Sequence, residues 1–182
     1  MPDKRPLTDN EGALLSLVLR QQPITGYQIG KFFESSPVHT FNTSKGKLYP
    51  MIHRLEERGL LAAEEVPDDQ RGTHRFTCTE AGREVLRSWV LSLRPEHELL
   101  HDPLRKKAQA FDLLTHAEQL QWLDEAKQRL ERKLGEVERW PIEVEGPFGD
   151  VISDNARSSL LGRIAWLEGS RRKIEQRGPD PA

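Results

Sequence analysis

The sequence contains a single cysteine, Cys78, among its 182 residues. One thiol cannot form an internal disulfide bond, and it cannot supply the cysteine cluster of a zinc or iron–sulfur site. Few cysteines and no disulfides are typical of proteins from reducing compartments. The cysteine content therefore favours a protein of such a compartment.

Long apolar runs are also missing from the sequence. No stretch approaches the roughly 20 apolar residues that are needed to cross a bilayer. The first residues contain no apolar segment of signal-peptide length. We therefore expect a cytoplasmic protein that does not enter a membrane.

Neither sign of charge dominates the sequence. The 27 basic and 29 acidic residues give a net charge of −2, so any basic surface must be local. The sequence shows no Ser-His-Asp arrangement, no phosphate-binding glycine loop and no metal-binding motif. It predicts neither an enzyme nor a site for a cofactor or a metal.

Three helical patterns occupy the first third of the chain. They cover residues 11–20, 26–34 and 43–58, where apolar side chains recur at helical spacing. Thr25 is a typical N-cap for the second of these helices. Pro50 lies within the third, so either this helix bends at the proline or its regular part begins later.

The pattern then changes from helical to extended. Residues 60–66 and 73–77 are rich in strand-forming residues and flank a cluster of turn residues. Thr79 can cap a fourth helix over residues 80–93. Three helices, a hairpin and a further helix, in this order, predict a winged helix-turn-helix over residues 11–95.

The second half of the chain is helical in pattern. We predict helices over residues 103–114, 116–140 and 154–176. The two longer helices carry apolar residues at heptad spacing. These residues are Leu123, Ala126, Leu130, Val137 and Trp140 in one helix and Leu160, Ile164, Leu167 and Ile174 in the other. Two such helices cover one another only partly, so we expect a partner chain to cover the remaining apolar surface.

Together these patterns predict a mostly α-helical fold class with a small β-wing. An N-terminal winged helix-turn-helix at 11–95 precedes an antiparallel helical dimerisation region at 96–177. Polar, proline-containing ends predict disordered tails at 1–10 and 178–182.

Three separated stretches carry distinctive motifs. The first stretch contains LSLVL at residues 15–19 and TGYQI at 25–29. The second is SKGKLYPMIHRLEERGL at 44–60, and the third is RGTHRFTCTEAGR at 71–83. In order and spacing, these stretches resemble the PadR family of bacterial transcriptional regulators. By this resemblance, the first stretch corresponds to the opening and second helix of the family, and the second stretch to its recognition helix. The third stretch corresponds to the second wing strand and the start of the helix that follows.

The sequence departs from the family at two points. Lys45 and Lys47 stand where family members often carry proline and threonine, so the start of the recognition helix is more basic than usual. The wing tip at 68–69 is acidic, so Arg71 and Arg75 are expected to contact DNA from the sides of the hairpin.

Acidic residues are missing from the two segments that a winged helix lays on DNA. None occurs between Glu34 and Glu56, and none between Asp69 and Glu80. The amides and hydroxyls at the start of the third helix favour a nearby phosphate. We therefore predict that double-stranded DNA is contacted by Tyr27, Thr43, Ser44, Lys45, Gly46, Lys47, Tyr49, Arg54, Arg71, His74 and Arg75. Alternatively, the lysines belong to an ordinary solvated face and the two tyrosines pack inward.

Four tryptophans form a second set of candidate residues. They are Trp89, Trp122, Trp140 and Trp166. The ordinary role of such residues is packing in the core and at interfaces. The resemblance implies that some family members bind planar aromatic effectors between the two domains, so a small-molecule effector pocket is the alternative.

The resemblance implies a homodimeric transcriptional repressor that a small effector, for example an aromatic compound, releases from DNA. A two-fold dimer places two recognition helices in successive major grooves, about 34 Å apart, on an inverted-repeat operator. The alternative is a winged-helix protein-interaction adaptor, or a small-molecule receptor, without specific DNA binding.

Overall fold

A computed structural model describes residues 5–38, 45–67, 72–98 and 102–178. The chain divides into two units, residues 1–98 and residues 99–182.

Helix α1, Asp9–Gln21, begins inside the segment for which the sequence predicts a disordered tail. The Thr8 side chain accepts a hydrogen bond from the Glu11 N–H at 3.3 Å, and the Glu11 carboxylate accepts one from the Thr8 N–H at 3.0 Å. This capping box satisfies amides that the helix itself leaves unpaired. Leu7 is only 1% exposed. The tail prediction is therefore wrong from Leu7 onward, because the capping box and the buried leucine hold the segment.

Helix α2, Gly26–Ser35, begins where the sequence predicts it. Thr25 caps it, and Gln28 completes a second capping box. Ile24 and Thr25 also form a two-residue strand, β1, which the sequence analysis does not predict. Strand β1 is too short to show an alternating pattern, and only its pairing partner reveals it.

Helix α3, Lys45–Glu57, contains Pro50 and is helical on both sides of it. The proline costs the helix one backbone hydrogen bond without ending it. The helix is followed by Gly59 at φ +70°, a left-handed conformation that favours glycine at a helix C-terminus. The predicted caps Thr43 and Ser44 lie outside the described residues.

Two further strands complete a small antiparallel sheet. They are β2, Leu61–Glu65, and β3, His74–Cys78, and the strand order is β1-β3-β2. Phe76 of β3 stands opposite Ala63 of β2 and opposite Ile24 of β1. The fold class is confirmed, and the wing has three strands instead of the predicted two.

Helix α4, Glu80–Leu91, starts after Thr79, whose side chain accepts a hydrogen bond from the Gly82 N–H at 3.0 Å. A short 3-10 turn follows at Pro95–Glu98. The apolar faces of α1 to α4 and of the sheet form one core.

Burial raises the pKa of the Cys78 thiol, so at neutral pH this side chain is a packing residue and not a nucleophile.

The described part of the second unit, residues 102–178, contains three α-helices. Helix α5, Pro103–Ala108, ends six residues earlier than predicted, and a 3-10 turn at Phe111–Leu113 occupies the remainder. Helix α6 spans His116–Arg139 and helix α7 spans Gly149–Arg177.

The start of α7 lies five residues before the predicted one. A Cβ atom at Gly149 would lie 2.1 Å from the Ile142 carbonyl oxygen. The absence of a side chain therefore lets the first turn of α7 lie against the preceding loop, and the glycine serves close packing instead of loop flexibility.

The predicted heptad positions face the contact between α6 and α7. Leu123, Ala126, Leu130 and Val137 are buried on α6, as are Leu160, Ile164 and Leu167 on α7, whereas Trp140 and Ile174 are half-buried. Lys127 Nζ lies 2.7 Å from Glu168 Oε1, and Arg171 Nε lies 2.8 Å from Asp124 Oδ1. Because residues early in α6 pair with residues late in α7, the two helices run antiparallel.

Across the four described ranges, no helix is long and apolar enough to span a membrane.

Candidate nucleic-acid interface

A groove of about 450 Å³ opens between α2, α3 and β3 in the first unit. It is lined by Gly26, Tyr27, Tyr49, Ile52, His53, Glu56, Gly72, Thr73, His74 and Phe76. Three of the predicted DNA contacts, Tyr27, Tyr49 and His74, lie on this one surface. The fold thus brings together residues that are up to 47 positions apart in the sequence.

The two tyrosines of the groove are unusually exposed for aromatic residues. Tyr27 is 70% exposed and Tyr49 is 54% exposed. The alternative that they pack inward is therefore wrong for both. Exposed tyrosines offer an apolar ring together with a hydroxyl donor, and this combination suits contact with a partner.

Gly26 makes room for the Tyr49 ring. A Cβ atom at position 26 would lie 2.8 Å from Tyr49 Cε1. The glycine of the Gly-Tyr motif and the tyrosine of the Leu-Tyr-Pro motif are thus in direct contact. This contact places the Tyr49 side chain at the groove.

The start of α3 presents positive charge next to the groove. Gly46 and Lys47 are exposed, and the first turn of α3 has no acidic residue. The first amides of a helix have no partner within the helix, and the helix dipole is positive there. The side chain of Lys45 and the whole of Thr43, Ser44 and Arg71 lie outside the described residues, so their DNA contacts stay predictions.

His53 is a groove residue that the sequence analysis did not select. Its Nδ1 atom lies 3.5 Å from Glu56 Oε2, and both residues line the groove. One signal could have found it: His53 follows Tyr49 by four positions, so on a helix the two share a face. Among the described residues that line the groove, Glu56 is the only acidic one.

Two predicted DNA contacts lie away from the groove. Arg54 is half-exposed, and its Nε atom lies 3.8 Å from Oε1 of the buried Glu11 on α1. Arg75 is exposed on β3 between His74 and Phe76, so its side chain points to the opposite face of the sheet. Glu64 stands opposite Arg75 on β2. Contacts from these two arginines to DNA therefore stay predictions that the groove itself does not support.

The four tryptophans occupy separate places. Trp89 of the first unit lies against α1, where a Cβ atom at Gly12 would come within 2.4 Å of its ring. Trp122 packs edge-on against Phe111 with ring centroids 4.9 Å apart. Trp140 donates a hydrogen bond from Nε1 to the buried Glu145 at 2.9 Å.

The spacing of the tryptophans excludes one shared pocket within a protomer. Trp122 and Trp140 are 18 positions apart along α6, which corresponds to about 27 Å. A pocket for a small aromatic molecule is much shorter than this distance. Trp166 is half-buried on α7. An effector pocket can therefore use only a subset of the four in any one chain.

The chemistry of the groove suits an anionic oxygen ligand. Tyrosine hydroxyls and imidazole N–H groups are donors, and the adjacent helix start adds amides and Lys47. Phosphate oxygens of a nucleic-acid backbone are acceptors of this kind.

Comparisons with known proteins identify a family domain in the first unit. Residues 14–88 match the transcriptional regulator PadR-like family. The negative transcriptional regulator PadR of Bacillus subtilis is 22% identical over 176 residues, which cover 90% of this chain and 96% of that protein.

Solved structures of the same B. subtilis protein share the fold. The structure in complex with operator DNA has a TM-score of 0.78 at 18% identity and covers 93% of this chain and 99% of that one. The structure in complex with p-coumaric acid has a TM-score of 0.70 at 19% identity, with coverages of 95% and 99%. Residues 14–88 are thus a domain of the PadR-like family, which is a family of transcriptional regulators and not of enzymes.

Proposed function

We propose that this protein is a homodimeric transcriptional repressor that binds an inverted-repeat operator and is released from it by a small effector. The observation that carries DNA binding is the groove beside the start of α3. Its exposed Tyr27 and Tyr49, its histidines and the neighbouring Lys47 form a donor surface on the face that a winged helix turns toward DNA.

The comparisons support the direction of regulation and the ligands. The B. subtilis relative is named a negative regulator, and its structures contain operator DNA in one case and p-coumaric acid in another. We extend both ligand classes to this chain: double-stranded DNA as the partner and an aromatic acid as the effector.

The second unit supports dimerisation by its exposed apolar surface. Ile142, Phe148 and Val151 are exposed near the connection between α6 and α7, and Phe148 reaches 70%. Two packed helices bury only the side that each turns to the other, so a second chain is the simplest cover for the remaining apolar side chains.

DNA binding is tested by removing positive charge from the start of α3. A fluorescently labelled duplex taken from upstream of the protein's own gene is titrated with wild type and with Lys45→Ala/Lys47→Ala, in the presence of random duplex and at two salt concentrations. We expect affinity to fall at least about tenfold and the salt slope to decrease by about one for each lysine that contacts a phosphate.

The matched control removes two exposed lysines from α5, Lys106→Ala/Lys107→Ala, which changes the net charge by the same amount. This variant should bind as the wild type does. Equal affinity of the α3 variant and the wild type would contradict the proposed interface. Weak binding of the wild type that does not distinguish the two duplexes would favour the adaptor function instead.

A further inference from the structure

We propose that the groove between α2, α3 and β3 holds a phosphate of the DNA backbone through the protonated imidazoles of His53 and His74, so that DNA affinity rises as the pH falls. The inference rests on the proposed function and adds a proton-linked control to the same surface.

The geometry places two imidazoles in one groove with two hydroxyls. His53 comes from α3 and His74 from β3, and the exposed Tyr27 and Tyr49 line the same 450 Å³. His74 precedes the buried Phe76 by two positions on β3, so both side chains lie on the groove face of the strand. Side chains from three elements therefore line one groove, which we propose as the place where a phosphate group binds.

Protonation changes what the imidazoles offer. A neutral imidazole has one donor and one acceptor nitrogen, whereas the protonated ring has two donors and a positive charge. Hydrogen bonds between charged groups are shorter and stronger than neutral ones. Because histidine changes charge between about pH 5 and pH 8, this difference falls within the physiological range.

Two carboxylates lie near these histidines in the free protein. Glu56 lies 3.5 Å from His53, and Glu65 stands directly opposite His74 on β2. Tyr27 and Tyr49 line the same groove, and the neighbouring Arg75 lies on the other face of the sheet. A phosphate competes with the two carboxylates for the protonated rings, and it also meets repulsion from Glu56.

The sign of the pH dependence follows from this competition. A bound phosphate favours the protonated imidazoles, so the gain in affinity is present at low pH. It is lost as the pH rises and the rings release their protons. Removing the Glu56 charge leaves His53 free for the phosphate and should strengthen binding.

The experiment measures the affinity of the protein for two duplexes: a random one of about 30 base pairs and the one taken from upstream of the protein's own gene. Both are titrated at about pH 5.5 and at about pH 8, with the ionic strength held constant. We expect wild type to bind about tenfold more tightly at the lower pH, the size of effect that charge-assisted hydrogen bonds produce. His53→Asn/His74→Asn should bind with little pH dependence. Glu56→Gln should bind more tightly than wild type.

Two controls separate this effect from a general change in net charge. His116→Asn removes a histidine at the start of α6 in the second unit and should keep the full pH dependence. His53→Lys keeps a positive charge in the groove at both pH values, and it should restore affinity at the higher pH and reduce the pH dependence.

The outcomes separate this inference from the proposed function. Sequence-specific binding with no pH dependence, or with the same pH dependence in the double asparagine variant, would overturn the histidine site and leave the regulator intact. Failure to bind either duplex at both pH values would overturn both. Circular dichroism at the two pH values establishes that each variant is folded.

Discussion

At the scale of single residues, the contact between Gly26 and Tyr49 explains why two separated motifs belong together. The tyrosine ring occupies the space where any other residue at position 26 would carry its Cβ atom, 2.8 Å from Tyr49 Cε1. The glycine is therefore needed for close approach and not for an unusual backbone angle. Tyr49 in turn reaches the groove as an exposed side chain.

We expect Gly26→Ala to weaken DNA binding by displacing the Tyr49 ring. The loss should be about three- to tenfold in affinity, with up to about 3 kcal/mol of lost stability from overpacking. In a Tyr49→Phe background the same substitution should change DNA affinity little, since the hydroxyl is already gone. A double-mutant cycle by fluorescence anisotropy, with urea denaturation alongside, measures both effects.

Gly162→Ala is the matched control, because a Cβ atom at this position of α7 meets no atom within 4 Å. It should leave DNA affinity unchanged and stabilise the helix slightly. Additive losses in affinity for Gly26→Ala and Tyr49→Phe would contradict the proposed coupling.

At the scale of elements, helices α1, α2 and α6 begin at threonine capping residues. Thr8, Thr25 and Thr115 each accept a hydrogen bond from the third residue of the helix that follows, and that residue's side chain accepts one in return. In α6 the partner is Glu118. Hydrogen bonds from the Thr115 backbone and hydroxyl hold the pKa of its carboxyl below the ordinary value.

We expect Thr115→Ala to fray the start of α6 and to cost about 1 kcal/mol of unfolding free energy. The pKa of Glu118 should rise only part of the way toward that of a free glutamate, because the hydroxyl hydrogen bond is lost while the backbone N–H of residue 115 can still donate. Because the wild-type pKa is lowered, the capping interaction is present at neutral pH and is lost as the pH falls through the lowered value. Urea denaturation and a carboxyl titration by NMR measure the two effects.

Ser159→Ala is the control, since it removes an exposed hydroxyl from the interior of α7. It should not lower stability. An unchanged Glu118 pKa in Thr115→Ala would show that the hydroxyl hydrogen bond does not contribute to it.

Ion pairs between α6 and α7 act at the same scale. The Lys127 ammonium, 2.7 Å from Glu168, lowers the pKa of that carboxyl, and Glu168 raises the pKa of Lys127. Both side chains are open to solvent, so salt screens the pair and its contribution to stability is small. The antiparallel register of the two helices rests mainly on the buried Leu123, Leu130 and Leu167.

At the scale of the whole molecule, the proposed dimer would couple DNA binding to symmetry. A two-fold dimer presents two copies of the groove and of α3. If the two copies enter major grooves one helical turn apart, about 34 Å, the matching DNA sequence is an inverted repeat. A single chain meets only one half-site, so a monomer would bind much more weakly.

We expect light scattering at micromolar concentration to give a mass of about 42 kDa, twice the 20.9 kDa of the chain. The mass should persist at high salt, because the expected interface is apolar. A mass near 21 kDa would contradict the homodimer. Repeating the measurement with operator DNA gives the number of chains in each complex.

Much of the fold is encoded by local patterns in the sequence. The helices, the hairpin and the seam of α6 and α7 follow from apolar spacing, from caps such as Thr25 and Thr79, and from stops such as Gly59, all of which act within a few residues. The order of these elements, together with three family motifs, was sufficient to predict the winged helix and the PadR-like family.

Only the tertiary structure decided which of these residues meet. The buried Leu7 and the Glu11–Arg54 contact depend on partners far away in the chain, as do strand β1 and the position of Gly149. The same is true of the groove, where Gly26 and Tyr49 touch and His53 comes to lie beside His74. Local signals determine helices because each helix hydrogen bond joins residues four positions apart, and they determine the β2–β3 hairpin because its two strands are neighbours in the chain. A binding surface is assembled from side chains of distant elements, so its membership is fixed only when those elements pack.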